Sequence, residues 1–426
     1  FKQKTAYEIR LSLVGSEMCI RDSYSPDGRW LAYTQRRIPA FYADRAQLML
    51  LDRARGGATR SLSGDWDRSA VALSWRPDSK ALYGAIDDAA TNRIWRFDLA
   101  APGRPRAITA GASFSGLALA SAGGAKPAAV AIRQGFAETP TLVRLDLGNG
   151  NATALSTFND AALAAIRQGR VESVTYKGAC NADIQMWVVY PPDFDPAKKY
   201  PVFMLLHGGP HDGIQDAVQW RWNAQVFAAW GYVVTWHNFH GSSGYGQAFA
   251  DAINPDRITL PYEDTIKAAD WLIAQPWVDR ERMVAGGGSY GGFLATTLLG
   301  RPHPFKALIA HGAVYNSFTQ IAADYGAEKD RFFEFWEKPA EFAQYSPHTS
   351  AGSFATPTLV IHGQLDLRVP VNHGIELFNT LQKRGVPSKM LYFPDENHWI
   401  LKPQNSLFWY RNVRDWIEQY AAPGGR

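Results

Sequence analysis

The chain has 426 residues, 46% of them hydrophobic, and a formal net charge of +4 with no long run of either sign. Fifteen Trp, 18 Tyr and 22 Phe exclude disorder over most of it, and the length predicts two or three domains. Without a basic stripe nucleic acid is not expected as a partner, and no stretch reaches the ~18 apolar residues of a membrane span.

Residues 1–22, "FKQKTAYEIRLSLVGSEMCIRD", resemble translated adaptor sequence and are expected to be a non-native leader. The native N-terminus, and any targeting signal with it, would then be missing, so the compartment stays unknown, periplasm or cytoplasm. Cys19 and Cys180 are the only cysteines, which excludes a disulfide framework. With the leader discounted, Cys180 alone remains and is read as structural.

From 23 to 168 short alternating strands are bounded by Gly, Pro, Asp and Asn: "RWLAYT", "QLMLLD", "ALYGAI", "RIWRFD", "AAVAIR" and "TLVRLD". Pro-Asp turns at Pro26-Asp27 and Pro77-Asp78 lie 51 positions apart, and strands end in Asp52, Asp98 and Asp146. About four strands per period of about fifty residues predict propeller blades, about three of them. An open β-sandwich is the alternative.

From 169 to 426 strands alternate with helix-length amphipathic segments. The period changes after 171–178 and 184–201, and strands are expected at 202–208, 232–238, 282–288, 306–314, 357–363 and 388–394. Helices are expected near 214–230, at 262–275, after 288, and at 406–420. This alternation predicts a doubly wound, mostly parallel sheet.

Chemistry gathers at the strand ends. "GGGSYGG" places Ser289 between a strand and a helix, on a turn too tight for larger flanking residues. Asp366 in "HGQLDLRVP" and His398 in "FPDENHWI" each follow a later strand, giving the chain order Ser, Asp, His of α/β-hydrolases. Asp395 and Glu396 are rival carboxylates, read as a solvated loop. The Tyr290 amide, at the start of the helix, and the Gly209 amide in "HGGPHDG" would form an oxyanion hole.

Two other motifs carry weaker chemistry. His207 and His211 have an i, i+4 spacing, but Gly208, Gly209 and Pro210 forbid the helix a zinc pair needs. "HGSSGYG" (240–246) lacks the Lys-Ser/Thr of a phosphate loop, and no helix start is expected after it. No metal or other cofactor is therefore expected.

"HGGP", "NFHGSSGYG", "GGSYGGF", "HGQLDLRVP" and "FPDENHW", in this order, resemble the prolyl oligopeptidase family of serine peptidases, most closely its acylaminoacyl-peptidase and dipeptidyl-peptidase V group. The resemblance implies an N-terminal β-propeller, here partial, followed by a C-terminal α/β-hydrolase domain. It implies Ser289 as nucleophile, His398 as general base then acid, Asp366 as orienting carboxylate, and the Gly209 and Tyr290 amides as oxyanion donors. Arg368 matches the family residue that binds a substrate carbonyl, with a surface ion pair as its alternative. Where many relatives carry Arg, this chain has His240, which puts a second cationic contact in doubt. Phe318, Phe332, Phe333, Trp336 and Trp399 are candidate walls of the substrate site, with the core as their alternative. The implied function is a serine exopeptidase releasing dipeptides or N-acylated amino acids from short peptides. A broad esterase or amidase and an inactive propeller binding protein are the competing readings. The oligomeric state is left open.

Overall fold

The computed structural model describes residues 22–38, 41–120, 128–324 and 333–424. Apart from Asp22, the leader segment lies outside the described residues, and so does Phe332. The described residues form two compact units. Of these residues, the first unit takes those of 22–161 with 215–218 and 243–251, and the second takes the rest.

The first unit holds three four-stranded antiparallel sheets, each built in chain order. One comprises β1 (Ser23–Tyr24), β2 (Trp30–Gln35), β3 (Gln47–Asp52) and β4 (Ala58–Ser61). The next comprises β5 (Leu73–Trp75), β6 (Ala81–Asp88), β7 (Thr91–Asp98) and β8 (Arg106–Ala107). The third comprises β9 (Ser113–Leu119), β10 (Ala128–Gly135), β11 (Glu138–Asp146) and β12 (Ala152–Ala154). A meander of four strands repeated in this way is the propeller blade, not the sandwich.

The repeat in sequence has a physical cause. Asp27 accepts from the amide of Arg29 (3.0 Å) and Asp78 from that of Lys80 (3.2 Å), so each Asp closes its own turn. The Asp27 amide in turn donates to Ser79 Oγ at 3.0 Å, joining the two turns across 52 residues. Apolar faces fill the space between blades. Leu48, Leu50, Leu62, Leu82 and Phe97 pack as one core, and Tyr83, Ile94, Phe114, Val143 and Leu145 as the next.

The second unit is built on an eight-stranded sheet. Its strands are β13 (Val171–Lys177), β14 (Asp183–Val189), β15 (Tyr200–Leu206), β16 (Val233–His237), β17 (Val278–Gly288), β18 (Ala307–His311), β19 (Thr358–Gly363) and β20 (Ser388–Phe393). Their spatial order is β13-β14-β16-β15-β17-β18-β19-β20. β14 runs antiparallel to β13 and β16, and every pair from β16 to β20 is parallel. β15, β18 and β19 read as unbroken buried runs, as strands covered on both faces must.

Helices Thr259–Ile273, Tyr290–Leu299, Asn372–Lys383 and Pro403–Ala421 are the long ones among the described residues. None is long and apolar enough to cross a membrane. The helix expected near 214–230 is only Ala224–Ala229. Asn223 caps it late, accepting from the amides of Gln225 (3.0 Å) and Val226 (3.4 Å). Upstream, the Ile214 amide donates to Asn238 Oδ1 (2.7 Å) and its carbonyl accepts from Trp187 Nε1 (2.8 Å), which takes that backbone away from a helix. Cys180 also departs from expectation: it is exposed in a turn at φ 51°. A short helix, Gln247–Asp251, does begin directly after "HGSSGYG".

Candidate active site

β17 ends at Gly288, and Ser289 follows at φ 60°, ψ −121°, a conformation that costs a non-glycine residue on the order of 1–3 kcal/mol. Ser289 stands at the N-terminus of helix Tyr290–Leu299, yet its side chain makes no capping hydrogen bond. Its hydroxyl is therefore not spent on the helix. The backbone is held instead: the Ser289 amide donates to the His311 carbonyl (2.9 Å), and its carbonyl accepts from the Phe293 amide (2.9 Å).

The flanking glycines are dictated by contact. A Cβ on Gly287 or on Gly291 would collide with the Leu206 carbonyl oxygen at the end of β15. A Cβ on Gly292 would come within 2.8 Å of Ala313 Cβ. The turn thus needs small residues on both sides of the serine.

Asp366 lies just past β19 and His398 just past β20, and both are buried. Asp366 Oδ2 is 2.7 Å from His398 Nδ1. Its Oδ1 accepts from the amides of Arg368 (2.9 Å) and Val369 (2.8 Å), which fixes the carboxylate plane. Because Nδ1–H points at the carboxylate, Nε2 of His398 is left as the basic nitrogen. Gly312 is the meeting point of the site. A Cβ there would lie 3.1 Å from His398 Nδ1 and 3.3 Å from Asp366 Oδ2, and the preceding residue, His311, anchors the Ser289 amide. No hydrogen bond joins the Ser289 hydroxyl to His398 among the described residues.

Gly208 and Gly209 follow β15. A Cβ on Gly208 would sit 3.5 Å from Ser289 Cβ, so this loop passes directly beside the serine. Gly209 holds φ 116°, which a side chain would strain. Tyr290 turns its ring into the protein against Phe239 and Phe293, with its hydroxyl donating to the Arg257 carbonyl.

Several side chains that sequence reasoning passed over support this arrangement. His362 Nε2 donates to the Val369 carbonyl (2.8 Å) and lies 3.5 Å from Asp366 Oδ2. Burial lowers its pKa, keeping it neutral beside the carboxylate. Burial also holds the His311 pKa well below its usual value, with His398 as a second cause. Glu396 is not a solvated residue. It is buried and accepts from the amides of Leu401 (3.1 Å) and Lys402 (2.9 Å) and from Asn405 (2.7 Å), fastening the loop that carries His398. The neighbouring Asp395 is exposed to solvent and pairs with Lys402.

The remaining candidates separate. Arg368 is half exposed and its Nε is 2.9 Å from Asp324 Oδ1, so its guanidinium is engaged in an ion pair. Trp399 is 44% exposed; its ring centroid is 5.0 Å from that of His398 and it stacks under Arg221, 3.8 Å from the guanidinium carbon. Phe318 and Phe333 join Phe342 in an aromatic cluster, while Trp336 is exposed. His240 is buried, its Nδ1 2.7 Å from Asp264 Oδ2. His207 and His211 bind different partners, Ser242 Oγ (2.9 Å) and the Gly241 carbonyl (3.0 Å), and burial lowers the His207 pKa to about 4.

Residues 218–424 match the prolyl oligopeptidase family. The dipeptidyl-peptidase 5 of Porphyromonas gingivalis is 34% identical over 409 residues, covering 93% of this chain and 58% of that protein. The Aspergillus fumigatus dipeptidyl-peptidase 5 is 34% identical over 407 residues, covering 93% and 56%. The chain thus spans somewhat more than half the length of these relatives. Among solved structures, a Pyrococcus horikoshii acylaminoacyl peptidase superposes with a TM-score of 0.81 at 19% identity, over 94% of this chain and 63% of that one. A Mycobacterium tuberculosis puromycin-hydrolyzing peptidase gives 0.71 at 21%, over 95% and 71%. These structures share the propeller and α/β-hydrolase architecture. Through residues 218–424, and in agreement with its curated relatives, the chain belongs to the prolyl oligopeptidase family.

Proposed function

We propose that the chain is a serine exopeptidase, releasing dipeptides or N-acylated amino acids from short peptides through an acyl-enzyme on Ser289. The observation that carries this reading is the Asp366–His398 hydrogen bond of 2.7 Å, closed against the same strand end that holds the Ser289 amide. His398 Nε2 takes the hydroxyl proton as Ser289 Oγ bonds to the scissile carbonyl carbon. The tetrahedral oxyanion receives the Gly209 and Tyr290 amides. The C–N bond then breaks, and the same proton passes from His398 to the departing amine. Water repeats the sequence on the ester, regenerating Ser289. The Ser–His hydrogen bond of such sites often tightens only in the substrate complex.

The choice of peptides rests on the relatives' names and on the family resemblance of Arg368. A panel of free-amine dipeptidyl anilides, N-acyl aminoacyl anilides and a small acetate ester tests it. At least one peptide class is expected to exceed the ester in kcat/KM. Arg368→Ala is expected to cost about tenfold on the peptide anilides, as for a charge-assisted hydrogen bond of about 1.5 kcal/mol, and under twofold on the ester. Equal losses on both would reduce Arg368 to the surface partner of Asp324, and an ester preference would move the function to a general esterase.

A further inference from the structure

We infer that Arg221 binds the C-terminal carboxylate of the departing fragment, so that the chain selects peptides ending one or two residues beyond the scissile bond. This rests on the reading of Ser289 and His398 given above. His398 hands its proton to the leaving nitrogen, so the leaving fragment departs past the imidazole. Trp399 flanks that ring, and the Arg221 guanidinium lies over the indole at 3.8 Å. An extended peptide advances about 3.5 Å per residue. The two ring contacts therefore keep the guanidinium no more than two or three residue lengths from the imidazole.

Arg221 is equipped for an anion. Its side chain is exposed and makes no ion pair or side-chain hydrogen bond among the described residues, in contrast to Arg368. Neighbouring protein lowers its pKa by desolvation, with the Asp212 charge opposing. Its backbone is fixed from both sides. The Tyr410 hydroxyl donates to the Trp220 carbonyl (3.2 Å) and accepts from the Asn223 amide (3.1 Å). Stacking on Trp399 holds the guanidinium plane, which leaves its fork of N–H donors for a bidentate carboxylate.

Binding and hydrolysis are measured in parallel on the full chain. The binding probes are the dipeptide Ala-Phe and its C-terminal amide, titrated by calorimetry. The substrates are a tetrapeptide acid and its amide. The acid is expected to bind about tenfold more tightly than the amide and to show a similar advantage in kcat/KM, as for one charge-assisted hydrogen-bonded pair at an accessible site. Arg221→Gln should bring both ratios below two, and Arg221→Lys, which keeps charge without the fork, should leave an intermediate ratio. Equal binding of acid and amide by the unaltered chain, or ratios unmoved in Arg221→Gln, would overturn the assignment. A chain that discriminates the dipeptides but hydrolyses nothing would instead overturn the peptidase reading and leave the carboxylate site standing.

Discussion

Ser289→Ala is expected to lower kcat for the best peptide anilide by about 10⁶, the scale seen when a nucleophile that works as one unit with its base is removed. The substitution deletes one hydroxyl that caps no helix turn. The backbone bonds from the Ser289 amide and to its carbonyl do not depend on the side chain. The thermal midpoint should accordingly stay within a few degrees of the parent, which separates lost chemistry from lost fold. Residual turnover above the uncatalysed rate would come from the amides beside the site and from binding alone. A loss of less than tenfold with the fold intact would remove Ser289 from the reaction.

Asp366→Asn should cost about 10⁴ in kcat, with KM changed far less. The size follows from where the amide is forced to point. The Oδ1 position must go on accepting from the Arg368 and Val369 amides, so the carboxamide oxygen stays there. Its NH₂ group then faces His398 Nδ1 at the 2.7 Å contact. An imidazole that accepts at Nδ1 carries its proton on Nε2, where it cannot receive the serine proton. The enzyme keeps its shape and loses its base. Steady-state kinetics with a melting curve as control decide this, and a loss under about thirtyfold would mean that another carboxylate orients His398.

The features that sequence reasoning reached are those enforced locally. The Pro-Asp turns, the Asp residues at strand ends and the glycines around Ser289 each answer to contacts within a turn or to a neighbouring backbone. The strand windows came close for the same reason, since Leu48 and Leu50 alternate with half-buried neighbours, Val143 and Leu145 with more exposed ones, and β19 is buried throughout. What escaped depends on partners far away in the chain. The helix expected from 214 is cut short by Asn238 and Trp187, and Glu396 looks like a solvated loop acid until its bonds to 401, 402 and 405 are seen. Arg221 carries no local motif at all. Its meaning comes from Trp399, 178 positions later, in a contact that no periodicity reports. Arg368 is the converse: motif position marked it, while its pairing with Asp324 requires the folded loop.

The most direct test of a reactive serine at the end of β17 is covalent capture. The folded chain is treated with a fluorophosphonate, digested, and the modified peptide located by mass spectrometry. One adduct is expected, on Ser289 within "GGGSYGG", with labelling abolished in Ser289→Ala and strongly slowed in Asp366→Asn. An adduct on another residue, or none on a chain shown to be folded by its melting transition, would contradict the account.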